Sequence, residues 1–422
     1  MPTALTWTPQ KQLVFTSLKG HVYQVETTSA NAPNPPLKLI AEGLSAPFGV
    51  LAIDRDLLVA HKPEVIRIHQ FADAPLMRPQ QVVASGWGFT DDYHDWTCGI
   101  VRDSKDWFYI GLGSDYSHKN RPQGESRWRG NILRFDLLDR VEPVATGLRY
   151  PTGLAMLPGD RLVTSDQQGV QNCFNEIDFI QLGRRYGVPA QRDPRDDGPT
   201  EKAAVQIPHP WTRSVNGLAV WPDNGHPFAG QIIGAEYNGR FLIRASVEEV
   251  DGVLQGAVYP LNRPGQSHGP EELLGPMCVG FSPDGELFVG SIHDSGWLGG
   301  LNTGDIVRFT PNDKLPNGIQ RIRASATGFS IDFVRPVDRA KAVDTTCFKI
   351  SGYTRVWQGN YATPDSGLHS PAVTAAELSA DGKTVNLSLN GLKTGHVYDV
   401  TVGDIGAGEA LWPTVGHYTL HR

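Results

Sequence analysis

Short segments of alternating apolar and polar residues recur from the N-terminus to about Pro311. Each repeat opens with a small residue, continues through three or four mostly apolar positions, passes a turn built from Pro, Asp or Gly, and ends in a β-rich run. Apolar residues at every second position place one face of a strand against a neighbouring sheet. The six copies begin at Ala4, Gly49, Gly99, Gly153, Gly217 and Cys278.

A further alternating strand follows each copy after a loop. These strands read HVYQVE, EVIRIHQF, NILRFDL, NEIDFIQL, RFLIRASV and DIVRFT. A propeller blade is typically encoded by two strands joined by a hairpin, then a loop and a third strand. The unit repeats every few tens of residues. We therefore predict an all-β protein in which residues 1–315 form a six-bladed β-propeller. The first strand of each blade then lines the central channel, where a small residue suits the crowded axis. A β-sandwich with accidental internal similarity is the alternative fold.

The remainder of the chain alternates without the propeller spacing. Its segments FSIDFVRPV, AELSADGKTVNLSLNGL and HVYDVTVGDI contain the ADGKT hairpin and the NGL turn expected of an immunoglobulin-like sandwich. We predict a small immunoglobulin-like β-sandwich over residues 320–422. It offers no catalytic constellation, and packing against the propeller is its expected role.

Composition and charge narrow the classes of partner. The chain has 46 glycines and 31 prolines between its alternating segments, as in an all-β protein with many turns. The formal net charge is −7 and no block of Lys or Arg stands out, which excludes a nucleic-acid-binding surface. No apolar run is long enough to span a bilayer. The four cysteines show no close pair and no metal-knuckle spacing.

Function on a propeller gathers at one end of the channel, on loops held by a rigid scaffold. The loops that lead into the channel strands share this rim with the loops that join the second and third strands of each blade. One entry loop, DDYHDWTCG, carries His94 among acidic residues that include Asp95. Nearby carboxylates can raise the pKa of a histidine and orient its ring, as a general base requires. His94 is the candidate base, and a histidine that only bonds loop backbone is the alternative.

Two further entry loops carry groups that can hold a ligand. Arg149 in GLRYPTG can bind a carboxylate or a sugar hydroxyl bidentately. HPWTRSVNG offers Trp211, Arg213 and Asn216, and a tryptophan beside polar donors can grip a sugar ring or a flat cofactor. Alternatively, the arginine forms a surface ion pair and the tryptophan covers the end of the hydrophobic core.

The other loop set is rich in oxygen-bearing side chains. Calcium prefers carboxylate and carbonyl oxygens, so the glycine-bearing loop DQQGVQNCFNEI is a candidate calcium site. Its candidate ligands are Asp166, Gly169, Val170, Asn175 and Glu176. The candidate substrate contacts are Asp95, Glu236, Tyr237, His293 and Asp294. Three histidines on different blades are an alternative, transition-metal set: His61, His94 and His293. No EF-hand, HExxH, P-loop, GxGxxG-plus-acid or GxSxG pattern is present, which excludes nucleotide cofactors and the common hydrolase designs.

One long stretch carries a family resemblance. GLRYPTGLAMLPGDRLVTSDQQGVQNCFNEIDFIQLGRRYGVPA resembles the matching stretch of soluble quinoprotein glucose dehydrogenases and sorbosone dehydrogenases. That family reads G-x-R-N-P-x-G, a glutamine–glycine loop, D-E-I-N and G-x-x-Y-G-x-P. His94 in HDWTCGIV, then GQIIGAEYNGRFLIRASVEEVDG and SPDGELFVGS, continue the resemblance over most of residues 1–312. The pattern is similar to dehydrogenase-like propellers of planctomycete-type bacteria, which often carry extra domains.

The resemblance implies oxidation of a sugar or polyol with pyrroloquinoline quinone (PQQ) and calcium. His94 would draw a proton from a sugar hydroxyl as hydride passes to the quinone, and Arg149 matches the arginine near the quinone carbonyl. Gln168, with the carbonyls of Gly169 and Val170, matches the loop that touches quinone and calcium. The full candidate set for cofactor binding is Gln167, Gln168, Gly169, Val170, Trp211, Arg213, Asn216 and Arg240. We also expect a periplasmic or secreted protein, although MPTALTWTP has no signal-peptide pattern.

The sequence departs from the family at the quinone site. Tyr150 replaces the asparagine after the loop arginine, and Met277 and Cys278 replace a pair of arginines that bind the quinone carboxylates. Each charge-assisted contact is worth roughly 1.5–3 kcal/mol, so their loss weakens quinone binding. Arg213 and Arg240 are the available substitutes. Two other functions stay open: a metal-dependent polysaccharide lyase or hydrolase in the same pocket, and a non-catalytic glycan-binding propeller.

Overall fold

The computed structural model describes the chain except residues 27–33, 70–79, 90–94, 115–127, 170–171, 188–199, 210, 263–272, 297–298, 310–313 and 359–362. The regular elements of the described residues are β-strands and a short 3-10 helix over Thr345–Cys347. No helix in these described ranges has the length and apolarity that crossing a membrane requires. All four cysteines are free thiols.

The first three blades are antiparallel and follow chain order. Blade 1 comprises β1 (Pro2–Trp7), β2 (Leu13–Ser17), β3 (His21–Val25) and β4 (Leu37–Ala41). Blade 2 comprises β5 (Ser45–Ile53), β6 (Asp56–Lys62), β7 (Glu64–His69) and β8 (Gln80–Ala84). Blade 3 comprises β9 (Thr97–Arg102), β10 (Phe108–Leu112), β11 (Ile132–Phe135) and β12 (Val141–Thr146).

The remaining blades repeat this arrangement. Blade 4 comprises β13 (Pro151–Leu157), β14 (Arg161–Asp166), β15 (Asn175–Phe179) and β17 (Val205–Ile207), and the short β16 (Arg184–Arg185) pairs with the edge of blade 3. Blade 5 comprises β18 (Val215–Val220), β19 (Ile232–Glu236), β20 (Phe241–Val250) and β21 (Val253–Pro260). Blade 6 has three strands among the described residues: β22 (Pro276–Phe281), β23 (Leu287–His293) and β24 (Thr303–Phe309).

The predicted six-bladed propeller is confirmed. Each of the six predicted repeats opens within the first strand of a blade, namely β1, β5, β9, β13, β18 and β22. Blade 6 closes the ring on blade 1, because the ring of Trp7 meets that of Phe288 with centroids 5.6 Å apart. The channel axis is as crowded as the small residues predict. A Cβ on Gly153 would collide with the carbonyl of Asn216, and one on Gly217 would lie 2.8 Å from Cα of Cys278.

The C-terminal residues form two packed sheets. One sheet has the order β25 (Ile319–Ser325), β26 (Gly328–Phe333), β30 (Thr384–Asn390) and β29 (Ala372–Leu378). The facing strands are β32 (Val415–Leu420), β31 (His396–Val402), β27 (Phe348–Thr354) and β28 (Ser366–His369). A shared core that includes Phe329, Ile331 and Tyr398 holds the sheets together. The all-β propeller-plus-sandwich class is therefore confirmed.

The sandwich is joined to blade 5 by a continuous sheet. Strand β32 pairs antiparallel with β21, so blade 5 runs into the sandwich without a break in hydrogen bonding. Beside this seam, Arg244 is fully buried and donates to the carbonyl of Gln320 at 2.6 Å. Its guanidinium lies 4.2 Å from the ring centroid of Phe228 and 4.3 Å from that of Tyr259. A buried cation shared between rings and carbonyls ties the sandwich tightly to the propeller.

Candidate functional site

A buried carboxylate ends the second strand of blades 4 and 5, and each one fixes the loop that enters the channel strand. Asp166 is 1% exposed and accepts hydrogen bonds from the backbone N–H of Arg149 at 2.8 Å and from that of Tyr150. Glu236 is 0% exposed and accepts from the N–H of Arg213 at 2.9 Å. Two arginines therefore occupy equivalent positions on adjacent blades. Both predicted loop sets do share one rim.

Two asparagines hold the glutamine loop, and the side chain of one of them connects it to blade 5. The N–H of Gly169 donates to the carbonyl of Asn172 at 3.0 Å. The N–H of Gln168 donates to Oδ1 of Asn175 at 2.9 Å. Nδ2 of Asn175 then donates to the carbonyl of Thr212 at 3.1 Å. Asn175 is fully buried and both ends of its amide are engaged, so it ties the loop to the segment before Arg213.

Arg149 and the glutamine loop meet directly. A Cβ on Gly169 would collide with Nε of Arg149, so only glycine lets the guanidinium lie against this backbone. That Nε is buried and has no hydrogen-bond partner among the described residues. Arg213 is exposed, and none of the ion pairs in the described part of the chain includes it. Arg149 thus lies against the glutamine loop, and Arg213 is exposed at the equivalent position of the next blade. Guanidinium groups of this kind can bind a ligand that carries carboxylates.

Three other predicted ligand-binding residues are engaged by protein groups. Nε2 of Gln167 donates to Oδ1 of Asn216 at 2.7 Å, a bond between blades 4 and 5. Trp211 is half-buried, and its ring lies 5.4 Å from that of Phe241 and 4.7 Å from that of His417. The bond between Gln167 and Asn216 and the ring contacts of Trp211 hold the rim loops in place. The exposed part of the Trp211 ring remains open to a ligand.

The segment that follows the candidate base is anchored in the interior. Asp95 forms an ion pair with Arg129, and the two side chains are only 3% and 4% exposed. Arg129 also donates to the carbonyl of Gly88 at 2.7 Å. This burial makes Asp95 an anchor of its loop, away from the open surface. His94 and Val170 lie outside the described residues.

An aromatic cluster forms the floor beneath the rim. Met277, 6% exposed, packs with Phe48, Trp96, Tyr150 and Tyr237. The rings of Phe48 and Trp96 are stacked with centroids 4.0 Å apart. Burial raises the pKa of Tyr150 well above its ordinary value, so its hydroxyl stays protonated. Tyr150 and Met277 therefore belong to a dry, neutral cluster.

The predicted substrate contacts differ in how far their side chains are buried and bonded within the protein. Tyr237 belongs to the aromatic floor, and the carboxylate of Glu236 accepts hydrogen bonds from backbone N–H groups. Asp294 is 4% exposed, and its Oδ1 accepts from the N–H of Gly296 at 2.8 Å. His293 ends β23 and is half-buried, while Arg240 occupies a turn with φ of 60°. Among the predicted substrate contacts, His293 keeps side-chain surface for a ligand, and so does Arg240, which was predicted to bind the cofactor.

Three carboxylates lie together one layer below the glutamine loop. Oxygens of Asp166, Glu176 and Asp178 lie within 4.8 Å of one another. The register explains the cluster, because Asp166 pairs with Glu176 across β14 and β15, and Asp178 returns to the same face two residues later. Sequence reasoning missed Asp178, although the alternation of NEIDF contains this signal.

Burial and mutual repulsion raise the pKa of all three groups. Desolvation raises the pKa of Asp166 to about 6, against the effect of its backbone donors. Desolvation and the nearby Asp166 raise the pKa of Glu176 to about 8. The pKa of Asp178 rises well above its ordinary value for the same two reasons, desolvation first and then Glu176. Three ionised carboxylates at this spacing require a cation, or they retain protons.

The alternative set of histidines stays a prediction, because His94 lies outside the described residues. Nε2 of His61 lies 3.6 Å from Oε1 of Glu64, and burial lowers the pKa of this histidine. Within the described ranges, the carboxylate cluster is the one group of His, Cys, Asp and Glu with spacing suitable for a metal.

No protein-family model matches the chain, and no curated protein matches it in sequence. Solved structures do match. The PQQ-bound aldose sugar dehydrogenase from Streptomyces coelicolor is 17% identical, with a TM-score of 0.53 over 73% of this chain and 93% of that one. The propeller has the sugar-dehydrogenase fold. The soluble aldose sugar dehydrogenase from Escherichia coli, in its apo form, is also 17% identical, with a TM-score of 0.50 over 74% and 96%.

A third solved structure matches over a similar share of the chain. The PQQ domain of pyranose dehydrogenase from Coprinopsis cinerea is 14% identical, with a TM-score of 0.51 over 69% of this chain and 90% of that domain. The predicted resemblance to this group of propellers is thus confirmed at the level of the fold. The share of this chain without a counterpart is about the size of the sandwich.

Proposed function

We propose that the chain oxidises a hydroxyl or aldehyde group of a sugar or polyol, with a quinone held at the propeller mouth. The observation that carries this proposal is the pair of rim arginines, Arg149 and Arg213, which form no ion pair with another described residue. The buried, unpartnered Nε of Arg149 calls for an acceptor from a ligand. The names of the matched structures, which include PQQ-bound and sugar-oxidising proteins, support the same class of reaction.

The residues around the rim fit PQQ on the side of blades 4 and 5. PQQ carries carboxylates, which Arg149 and Arg213 would bind in a forked geometry. Gly169 would hold the guanidinium of Arg149 in place against the loop, since the space of its missing side chain is filled by that group. Blade 6 would contribute the apolar floor around Met277 in place of cations. Arg240 is the further cation on this rim.

Protein groups would prepare this site before any ligand arrives. The carboxylates of Asp166 and Glu236 fix the backbone that presents both arginines. The aromatic floor excludes water and thereby strengthens the charge-assisted bonds at the rim. A bound quinone supplies an acceptor for the hydride that leaves the sugar carbon. His94 would hold the proton of the sugar hydroxyl as general base.

A calcium ion held by Asp166, Glu176 and Asp178 is the second part of the proposal. Oδ2 of Asp178, in a side chain that is 1% exposed, has no hydrogen-bond partner among the described residues. Clustered carboxylate oxygens with an unused lone pair suit a hard cation. Glu176 is half-buried and leaves a route to solvent. Calcium here would stiffen β14 and β15 directly below the glutamine loop.

Calcium-free protein is expected to lose stability as the pH rises from about 4 to about 8. The folded pKa of Glu176, about 8, lies above the unfolded value of about 4.3, so this stabilising contribution is complete below the unfolded pKa. It declines through the folded pKa by about 1.4 kcal/mol per pH unit for each retained proton. Urea unfolding at pH 5.5 and pH 8.0, in EDTA and in calcium, measures the effect. Calcium is expected to reverse the loss at pH 8.0.

The matched variant is Asp178→Asn, which removes one ionisable group with little change in shape. It is expected to stabilise the EDTA-treated protein at pH 8.0 and to reduce the response to calcium. Equal unfolding midpoints at both pH values, with no response of the wild type to calcium, would contradict the calcium proposal.

Dye reduction tests the proposed reaction directly. Purified protein is incubated with PQQ and calcium, and a panel of aldoses and polyols is added with an artificial electron acceptor. We expect sugar-dependent reduction, and we expect His94→Ala to retain PQQ binding while losing most of the turnover. If shortened or unsaturated glycans were released without an electron acceptor, the result would contradict oxidation and favour the lyase or hydrolase function. A periplasmic or secreted location stays a prediction.

A further inference from the structure

The sandwich reaches two loops of the propeller rim through one buried arginine. Arg355 follows β27, and its side chain is 3% exposed. Its Nη1 donates to the carbonyl of Cys173 at 3.4 Å, and its Nη2 donates to the carbonyl of His209. Its Nε donates to Oδ1 of Asp365 at 2.7 Å, so the sandwich holds the guanidinium from behind. Two separate segments of the propeller therefore share a single cation.

Both of these segments carry the candidate site. Cys173 lies between Asn172 and Asn175, whose hydrogen bonds shape the loop that contains Gly169. His209 precedes the segment that presents Arg213. The guanidinium thus fixes the outer ends of the same two loops that Asn175 joins from the inside. The spacing between the two loops depends on both links.

Apolar and aromatic contacts reinforce the link. The guanidinium lies 4.9 Å from the ring centroid of Phe174, which packs with Tyr353 of the sandwich. The ring of Trp211 lies 4.7 Å from that of His417, whose Nδ1 is 2.6 Å from Oδ1 of Asp399. A carboxylate therefore orients the histidine that supports the rim tryptophan. The sandwich forms a wall behind both loops.

We propose that Arg355 is a positioning residue for the rim, and that the sandwich is a structural part of the ligand site. Arg355 sets the distance between the loop that carries Gly169 and the loop that carries Arg213, and thereby the separation of the two rim arginines. The matched sugar dehydrogenases are covered to 93% and 96% of their length by a share of this chain that leaves out a segment the size of the sandwich. The inference rests on the proposed binding of an anionic ligand at the rim.

Hydrogen–deuterium exchange tests the positioning without any ligand. In Arg355→Ala, we expect amides in peptides that contain Cys173–Asn175 and Trp211–Ser214 to exchange at least about tenfold faster, because both loops lose their outer anchor. Exchange in β21 and β32 is expected to stay unchanged, since the continuous sheet holds the sandwich in place. The control is Arg323→Ala, which removes a sandwich ion pair to Asp332 at 2.9 Å.

PQQ titration, followed by tryptophan fluorescence, gives the second readout. Arg355→Ala is expected to weaken PQQ binding at least about tenfold. Arg355→Lys should restore part of it, because an ammonium can donate to the carbonyls but cannot reproduce the planar fork. Arg323→Ala should bind PQQ as the wild type does. This graded rescue is a result that a general loss of stability does not produce.

The two readouts separate this inference from the proposed function. If the wild type binds no PQQ, the proposed function fails, and the exchange measurement alone decides the role of Arg355. Unchanged exchange in both loops of Arg355→Ala would overturn the inference. Faster exchange spread evenly through the sandwich would also overturn it, because that pattern describes a residue needed only for folding.

Discussion

Arg149→Ala is expected to weaken PQQ binding at least about 100-fold. The side chain lies against the backbone of Gly169, and its buried Nε has no partner in the described structure. A forked bond to a carboxylate provides two charge-assisted contacts of roughly 1.5–3 kcal/mol each, and every 1.4 kcal/mol is about tenfold in affinity. Isothermal titration of PQQ into calcium-loaded protein measures the change. Arg149→Lys keeps the charge but loses the forked geometry, so its PQQ affinity should lie between those of the wild type and Arg149→Ala.

Arg161→Ala is the matched control for this prediction. Arg161 begins β14, the strand that Asp166 ends, and its exposed side chain lies at the opposite end of the blade from the rim. Its removal should leave PQQ affinity unchanged. Equal PQQ affinities of wild type and Arg149→Ala would show that this arginine holds no ligand, and the quinone proposal would lose its main support.

Glu236→Ala is expected to lower the free energy of unfolding by about 3 kcal/mol or more. This fully buried carboxylate accepts from the N–H groups of Arg213, Ser214 and Gly239. Alanine leaves these donors without acceptors, at about 1–3 kcal/mol for each one that water does not reach. Urea unfolding at neutral pH measures the loss. Glu236→Gln retains one acceptor oxygen and should lose about half as much.

Glu249→Ala provides the comparison within blade 5. Glu249 is exposed on β20, so its removal should change the free energy of unfolding by less than about 0.5 kcal/mol. If Glu236→Ala and Glu249→Ala had the same free energy of unfolding, the entry loop of blade 5 would not depend on the buried carboxylate.

The propeller was predictable because its signals are local and repeated. Small residues such as Gly153 and Gly217 mark where channel strands meet at the axis, and the alternation that follows sets the buried face of each blade. The continuation of blade 5 into the sandwich was not predictable. It depends on β21 pairing with β32, two strands far apart in sequence, and no local pattern encodes that partner.

The contact between Arg149 and the glutamine loop was predictable, whereas the contacts of other candidate residues were not. Arg149 and Gly169 do meet, as the loop assignments imply. Glu236 was predicted to touch a substrate, yet the end of β19 turns it inward to bind backbone, and polarity alone does not reveal that direction. Asp178 and Arg355 escaped prediction because their partners come from a neighbouring strand and from another domain.

The quinone content of the protein tests the central claim most directly. Purified chain is incubated with PQQ and calcium, passed through gel filtration, and assayed for quinone absorbance against protein concentration. Arginines on adjacent blades that share one carboxylate-bearing ligand predict one PQQ per chain, retained at micromolar concentration and reduced when sugar is added. Protein that emerges without quinone under these conditions would contradict the account, whatever the fold.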